Sequence, residues 1–376
     1  RRQRQMCIRD SFYGFQEYNG ISKKIRYQVD ALKQYGMDVR TCYYEVRENG
    51  ERQWMIDEKV LVNLGKGTLA KIKKRVSFAP IIHYIRKEQI SFVYIRYYHN
   101  ANPFTIHFVK SAKKLGVQIV LEIPTYPYDQ EFTDQKLNLC IDRIFRHSLC
   151  SHLDAVVTFS NDTEIFGQRT IRISNGIDFN SIPLRKQIRT MENELHLIGV
   201  AEIHFWHGFD RLIKGLKEYY AHNPGYKVYF HIVGNLFGER EKQEIEDPIQ
   251  AYNLQDYVFM HGAKHGKELD ALFEKADFAV GSLARHRSGI FNIKTLKNRE
   301  YAARGFGFIY SETDDDFEKM PYIIKAPANE TAIDIPGLIA FCKKQTISPQ
   351  EIRNSIRHLS WKEQMKKVCD DIRFHS

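Results

Sequence analysis

Short apolar runs alternate with amphipathic segments along nearly the whole chain. In the first half, runs at 6–8, 38–44, 92–96 (FVYIR), 117–121 (VQIVL), 155–159 (AVVTF) and 170–173 (TIRI) have the length and residue types of strands. Between them, 21–35, 69–87 (interrupted at Pro80), 103–115 and 132–153 carry apolar positions at helical spacing, with Gly36 and Gly116 closing two of these segments. Residues 52–63 read as further extended structure. Residues 176–194 are polar and loop-like, which predicts a linker. The alternation then restarts, with strands at 195–201, 228–233, 258–261, 278–280, 307–310 and 322–325. Helices start near Gly208, Glu239, Lys267, Thr295 and Ile335. This pattern predicts βαβ units and parallel sheets, an α/β fold in two doubly wound halves at 1–180 and 195–355. A ligand cleft is then expected between the carboxyl ends of the two sheets. A last helix within 356–376 is expected to pack back on one of the halves, the N-terminal one included.

Composition narrows the partners. The 376 residues hold 56 Lys and Arg against 46 Asp and Glu, a net charge of +10. That favours an anionic partner such as a nucleotide, a nucleic acid or a lipid headgroup. No DNA- or RNA-reading motif accompanies the charge, so nucleic acid is not expected. Six cysteines are scattered without C-x-x-C spacing, as for reduced thiols. No apolar run approaches the roughly 20 residues of a membrane span, and the opening RRQRQM lacks the apolar region of a secretory signal. A cytoplasmic protein is expected.

The stretch 285–305, RHRSGIFNIKTLKNREYAARG, is the strongest chemical candidate. A basic Gly-containing loop leads into a helix that ends at Gly305. Free backbone N–H groups and a helix dipole at such an entry suit a phosphate or diphosphate. Glu300, set among Lys294, Lys297 and Arg304, is placed to accept hydrogen bonds from ribose hydroxyls. The run Asp314-Asp315-Asp316 reads as a cap for the turn at Phe317 rather than as a metal site, and the fifteen histidines lack ligand spacing such as H-E-x-x-H. No metal and no cofactor are expected.

Several segments, in order, resemble one family. They are Ser174-Asn175-Gly176-Ile177-Asp178, Phe205-Trp206-His207-Gly208-Phe209-Asp210-Arg211-Leu212-Ile213, His231-Ile232-Val233-Gly234, Val258-Phe259-Met260-His261-Gly262, Leu272-Phe273-Glu274-Lys275-Ala276-Asp277, and Leu296 through Gly305. Together they resemble retaining glycosyltransferases of family 4. In the N-terminal half, Tyr18-Asn19-Gly20-Ile21-Ser22-Lys23-Lys24 and Leu121-Glu122-Ile123-Pro124-Thr125-Tyr126-Pro127-Tyr128 are similar to members that build bacterial capsules or exopolysaccharides.

The resemblance implies the GT-B fold, two facing Rossmann-like domains around a central cleft, and transfer of a sugar from a nucleotide sugar, a UDP-sugar, to a saccharide acceptor. It implies that Glu300 holds the ribose and that backbone near Gly262 meets the base. The N–H groups of Gly289, Ile290 and Phe291, with Lys294 or Lys297, would meet the diphosphate. Gly20 would allow close approach to the phosphates, with Lys23 or Lys24 closing over them. Glu122 and His99, beyond two strand ends, are expected to face the acceptor. Two positions depart from the family. Its E-x7-E pattern places the first glutamate at Asn292, which cannot offer a negative charge to the donor sugar. The Lys of its first C-domain turn falls on His207, so Arg285, Arg287, Lys294 or Lys297 would have to supply the missing charge.

The basic run 66–75 (KGTLAKIKKR), followed by apolar 76–82, predicts peripheral contact with an anionic membrane on its cytoplasmic face. Such contact fits a polyprenyl-diphosphate-linked acceptor. Two other readings stay open: a sugar-nucleotide epimerase, and a catalytically silent GT-B subunit that partners an active one.

Overall fold

The apolar runs assemble into two sheets. The computed structural model describes residues 5–13, 20–97, 100–129, 136–186 and 191–374. Two units divide the chain at Gly176 and Trp361: Ile177–Ser360 forms one, and the segments on either side of it form the other.

The first unit holds β1 (Gln5–Tyr13), β2 (Asp38–Val46), β3 (Arg52–Ile56), β4 (Lys59–Gly65), β5 (Phe92–Arg96), β6 (Gln118–Ile123), β7 (Ala155–Thr158), β8 (Glu164–Ile165) and β9 (Gln168–Arg172), in spatial order β4-β3-β2-β1-β5-β6-β7-β9-β8. The central pairs are parallel, with β3 and β4 folded back antiparallel at one edge and β8 at the other. One face is covered by α1 (Gly20–Gln34) and by α12 (Trp361–Phe374). Ile25, Val29 and Leu32 pack there with Trp361, Met365 and Ile372. The other face carries α2 (Gly67–Val76), α3 (Ala79–Lys87), α4 (Pro103–Lys113) and α5 (Lys136–Cys150). Pro80 starts a second helix instead of kinking one long one, because its ring is tolerated in a first turn.

In the second unit, β10 (Glu194–Val200), β11 (Lys227–Val233), β12 (Val258–Met260), β13 (Phe278–Val280), β14 (Phe308–Tyr310) and β15 (Ile323–Lys325) are all parallel, ordered β12-β11-β10-β13-β14-β15. This is the doubly wound 3-2-1-4-5-6 order, whose switch point lies between β10 and β13. One face packs α6 (Phe209–Tyr220), α7 (Glu239–Ala251) and α10 (Ile335–Lys344). The other packs α8 (Gly266–Lys275), α9 (Leu296–Ala303) and α11 (Pro349–Ser355).

The first part of the expected linker is not loose. Ile177 is buried and its N–H donates to Leu359 O at 2.9 Å, while the buried Arg185 donates to Asp277 O at 3.1 Å. Among the described residues, no helix is long and apolar enough to cross a membrane.

Candidate functional site

The carboxyl ends of β10 and β13 lead into two short turns, Phe205–His207 and Arg285–Ser288, that are pressed together. Leu283 N–H donates to His207 O at 2.8 Å and Ala284 N–H to Trp206 O at 3.2 Å. Gly208 makes the approach possible. It has φ +62°, and a Cβ there would lie 2.6 Å from Ala284 Cβ and 2.9 Å from Ala284 N.

Helix α9 is fixed against this switch point from below. The hydroxyl of Tyr301 donates to Val280 O (3.0 Å) and accepts from Val200 N–H (3.1 Å), so it ties the last residues of β13 and β10 together. Arg299 is fully buried and forks onto Asp314 at 2.7 and 3.0 Å, with Asp316 as a further partner. Asn298 adds a bond to Asp314. The acidic run is therefore the counter-charge of Arg299. It also caps the turn at Phe317 as expected: Asp314 Oδ1 accepts from Asp316 N–H at 3.4 Å, and Phe317 N–H bonds the main-chain oxygen of Asp314. Thr295 caps α9 by accepting from Asn298 N–H.

Two cations gather at this point. Lys297 donates to Ser282 Oγ at 3.3 Å, and the Arg285 guanidinium lies 5.3 Å from the Trp206 ring. Burial and the neighbouring Arg285 push the Lys297 ammonium well down from its ordinary range. Glu300, half-buried on the same helix, accepts from Arg304 through Oε1 at 3.0 Å.

Several expected roles change. His207 is buried, and its Nδ1 accepts from His204 N–H at 2.9 Å. Burial, Lys297 and Arg285 hold it well below the usual histidine range. It stays neutral and cannot stand in for a lysine. Arg287 is saturated by Asp210 (2.9 and 2.8 Å) and Glu330, which clamps its turn to α6 and removes it as a cation for phosphate. The N–H of Gly289 already donates to His286 O at 3.0 Å, so the loop is a closed 3-10 turn and not a row of free donors. Beyond it, Ile290, Phe291 and Asn292 run alongside Thr313: Thr313 N–H bonds Phe291 O at 2.7 Å and Ile293 N–H bonds Thr313 O at 3.0 Å. Asn292 and Phe291 are exposed, and Lys294 is half-buried. Gly262, at the end of β12, accepts from Gly234 N–H at 2.8 Å.

In the first unit, Glu122 is not at an open strand end. Its side chain is 0% exposed and has four partners: Tyr94 Oη at 2.5 Å, Gln28 Nε2 at 2.7 Å, Arg96 at 3.1 Å and Lys24 at 3.2 Å. Burial alone would raise its pKa, but the charges of Lys24 and Arg96 and the two neutral donors hold it at about 2. Lys24 is likewise committed, lying 3.6 Å from the Phe159 ring centroid and lowered to about 7 by burial. The pair locks α1 to the sheet, so Glu122 cannot face an acceptor and Lys24 cannot close over phosphates. Gly20 is the first residue of α1. His99 lies outside the described residues, whereas Tyr97, two residues earlier, is buried with its hydroxyl on Asp142. Sequence reasoning passed over Ser282, Tyr301, Arg299 and Glu312. Their only signal is position, within a few residues of strand or helix ends.

Residues 181–290 match the family model for glycosyl transferases group 1. No curated protein matches the chain. Among solved structures, the fold is similar to sucrose-phosphate synthase from Thermosynechococcus elongatus, at 14% identity over 99% of each chain and TM-score 0.64. A glycosyltransferase from Rickettsia africae ESF-5 is similar at 13% identity over 100% of this chain and 99% of that one, TM-score 0.64. Anabaena Alr3699/HepE in complex with UDP is similar at 12% identity over 99% and 100%, TM-score 0.63. Likeness at these identities carries the fold alone. The chain has the GT-B fold with its two Rossmann-like domains, and the match to glycosyl transferases group 1 within the second of them supports a glycosyltransferase.

Proposed function

We propose that this chain is a metal-independent, retaining glycosyltransferase that moves a sugar from a UDP-sugar to a glycan or lipid-linked saccharide during bacterial surface-polysaccharide assembly. The observation that carries the reading is the pair of cations, Lys297 and Arg285, gathered where β10 and β13 end at the switch point of a 3-2-1-4-5-6 sheet. Departure of a nucleoside diphosphate leaves negative charge that fixed cations stabilise, most strongly in a partly dry site. Glu300, with one oxygen held by Arg304, offers the other to ribose hydroxyls. That the Anabaena protein binds UDP supports uridine as the base. In this chemistry the acceptor hydroxyl attacks on the leaving-group face, and no enzyme nucleophile is required.

Calorimetry on the full chain with UDP and GDP tests this. Saturable UDP binding that weakens about tenfold or more in Glu300→Ala is expected. No binding of any nucleoside diphosphate, or binding indifferent to that substitution, would sink the proposal. The neutral His207 and the exposed Asn292 favour one second reading, a silent GT-B subunit. It predicts UDP binding with no turnover of any UDP-sugar. Docking of the first unit on an anionic membrane, at the cytoplasmic face, belongs to the same proposal. Its support is a surface with Leu69 72% and Ile72 53% exposed among Lys66, Lys71, Lys73 and Arg75, joined through Arg75 and Asn138 (2.6 Å) to the exposed Leu137 and Ile144 of α5. The apolar residues after the basic run point inward instead: Phe78 and Ile81 are buried.

A further inference from the structure

One buried carboxylate lacks the partners that all the others have. Glu312 follows β14 by two residues and is 2% exposed, and neither carboxylate oxygen accepts a hydrogen bond from another residue. Among the described residues, the other buried carboxylates (Glu122, Asp142, Asp210, Glu241, Asp277 and Asp314) each accept at least one. A carboxylate taken from water without donors costs several kcal/mol, roughly, and natural structures rarely keep one without a reason.

Its surroundings identify what is missing. Burial raises the Glu312 carboxyl to about 7, against the opposing pull of its own N–H and of the nearby Lys297 and Arg285, and Lys297 directs its hydrogen bond to Ser282 and not to Glu312. The main chain of Glu312 is fixed, because its carbonyl accepts from Lys325 and the next residue, Thr313, is bonded on both sides to the segment carrying Asn292. The side chain is thus held at the carboxyl end of β14, beside the cations and next to the segment 291–293. An anion is excluded as its partner by charge. What fits two unfilled carboxylate oxygens is a pair of neutral donors, and a vicinal diol supplies them in that geometry.

We infer that Glu312 binds hydroxyl groups of the sugar moiety of the donor, while the adjacent cations take the diphosphate. The inference rests on the nucleotide-sugar reading above. The two charges divide one ligand: its anionic half goes to Lys297 and Arg285, its neutral polyhydroxyl half to Glu312. A pyranose with two adjacent free hydroxyls is then required, and a donor deoxygenated at either position is a poor substrate.

Calorimetric titrations of UDP, UDP-glucose, UDP-galactose and UDP-N-acetylglucosamine into the wild type, Glu312→Gln and Glu312→Ala test the assignment. For at least one sugar the wild type should bind the UDP-sugar about tenfold or more tighter than UDP. In Glu312→Ala that ratio should fall to about one, and in Glu312→Gln it should shrink. UDP alone should bind equally well or tighter, since a negative charge beside the diphosphate is gone. Both variants should melt no lower than the wild type, because an unpaired buried charge is removed; a purely structural glutamate would lower it. An unchanged UDP-sugar to UDP ratio in Glu312→Ala overturns the assignment while leaving UDP binding intact. A wild type that binds neither UDP nor any UDP-sugar overturns the nucleotide reading itself, and the assignment with it.

Discussion

Glu122 and Glu312 are both buried glutamates at the carboxyl ends of parallel strands, one in each unit, and they differ in everything around them. Glu122 is met by two cations, a phenol and an amide, and its hydrogen-bonding capacity is filled from within the protein. Glu312 has two cations nearby and no donor from another residue on either oxygen. The same charge is a staple in one unit and an unfilled socket in the other. A closed network stabilises one conformation and has nothing to offer a ligand. An open one lowers stability and keeps binding capacity in reserve, as functional sites do. The contrast within α9 teaches the same: Arg299 is closed by Asp314 and Asp316, while Lys297, half a turn before it, has only a serine hydroxyl.

Breaking the closed network should have the largest effect. Glu122→Gln leaves Lys24 and Arg96 buried without their counter-charge and should destabilise the first unit by about 3–5 kcal/mol. Urea denaturation followed by tryptophan fluorescence measures it. Melting unchanged within about 0.5 kcal/mol would mean that the network is not the staple described.

A pH series sharpens the comparison. Because the folded protein holds Glu122 at about 2, the unfolded chain binds the extra proton as pH falls below the ordinary carboxyl range near 4.5. Stability from this group is full above that range and is lost as pH drops toward 2. Lys24, lowered to about 7 from 10.5, acts with the same sign in a higher window: stability should rise with pH between those two values, since there the unfolded chain binds more protons. The difference in urea midpoint between wild type and Glu122→Gln, followed from pH 3 to 6, should narrow toward the acid end. A constant difference would contradict the assigned charge state.

The smallest expected effect is at the surface. Replacing Leu69 and Ile72 with serine removes two exposed apolar side chains and should weaken flotation with vesicles rich in phosphatidylglycerol by roughly tenfold, without changing the melting temperature. Equal flotation of variant and wild type would remove α2 from the membrane account.

Much of the architecture was legible in the chain because strand runs such as FVYIR and VQIVL are apolar on both faces, as buried parallel strands must be. Gly36 and Gly116 then marked two helix ends. Residues 205–207 and 285–288 were less readable, since 3-10 turns three or four residues long leave no period. Helix α9 was found by its ends, but its buried residues include Asn298 and Arg299 while Leu296 is exposed, so no amphipathic stripe tells which of its charges are closed and which are open. The roles of Glu122 and Glu312 depend on partners from other elements: Lys24 and Gln28 from α1, Arg96 from β5, and Lys297 from α9. Local pattern shows that a carboxylate stands at a strand end. Only the fold shows whether anything already holds it.

The central claim is that the end of β13 and the start of α9 form a diphosphate site centred on Lys297. Titration of UDP into the wild type and into Lys297→Ala is its most direct test. The account predicts saturable binding by the wild type, weakened about tenfold or more by the substitution, with the variant's melting temperature equal to or above that of the wild type. Equal UDP affinity in the two proteins would contradict it.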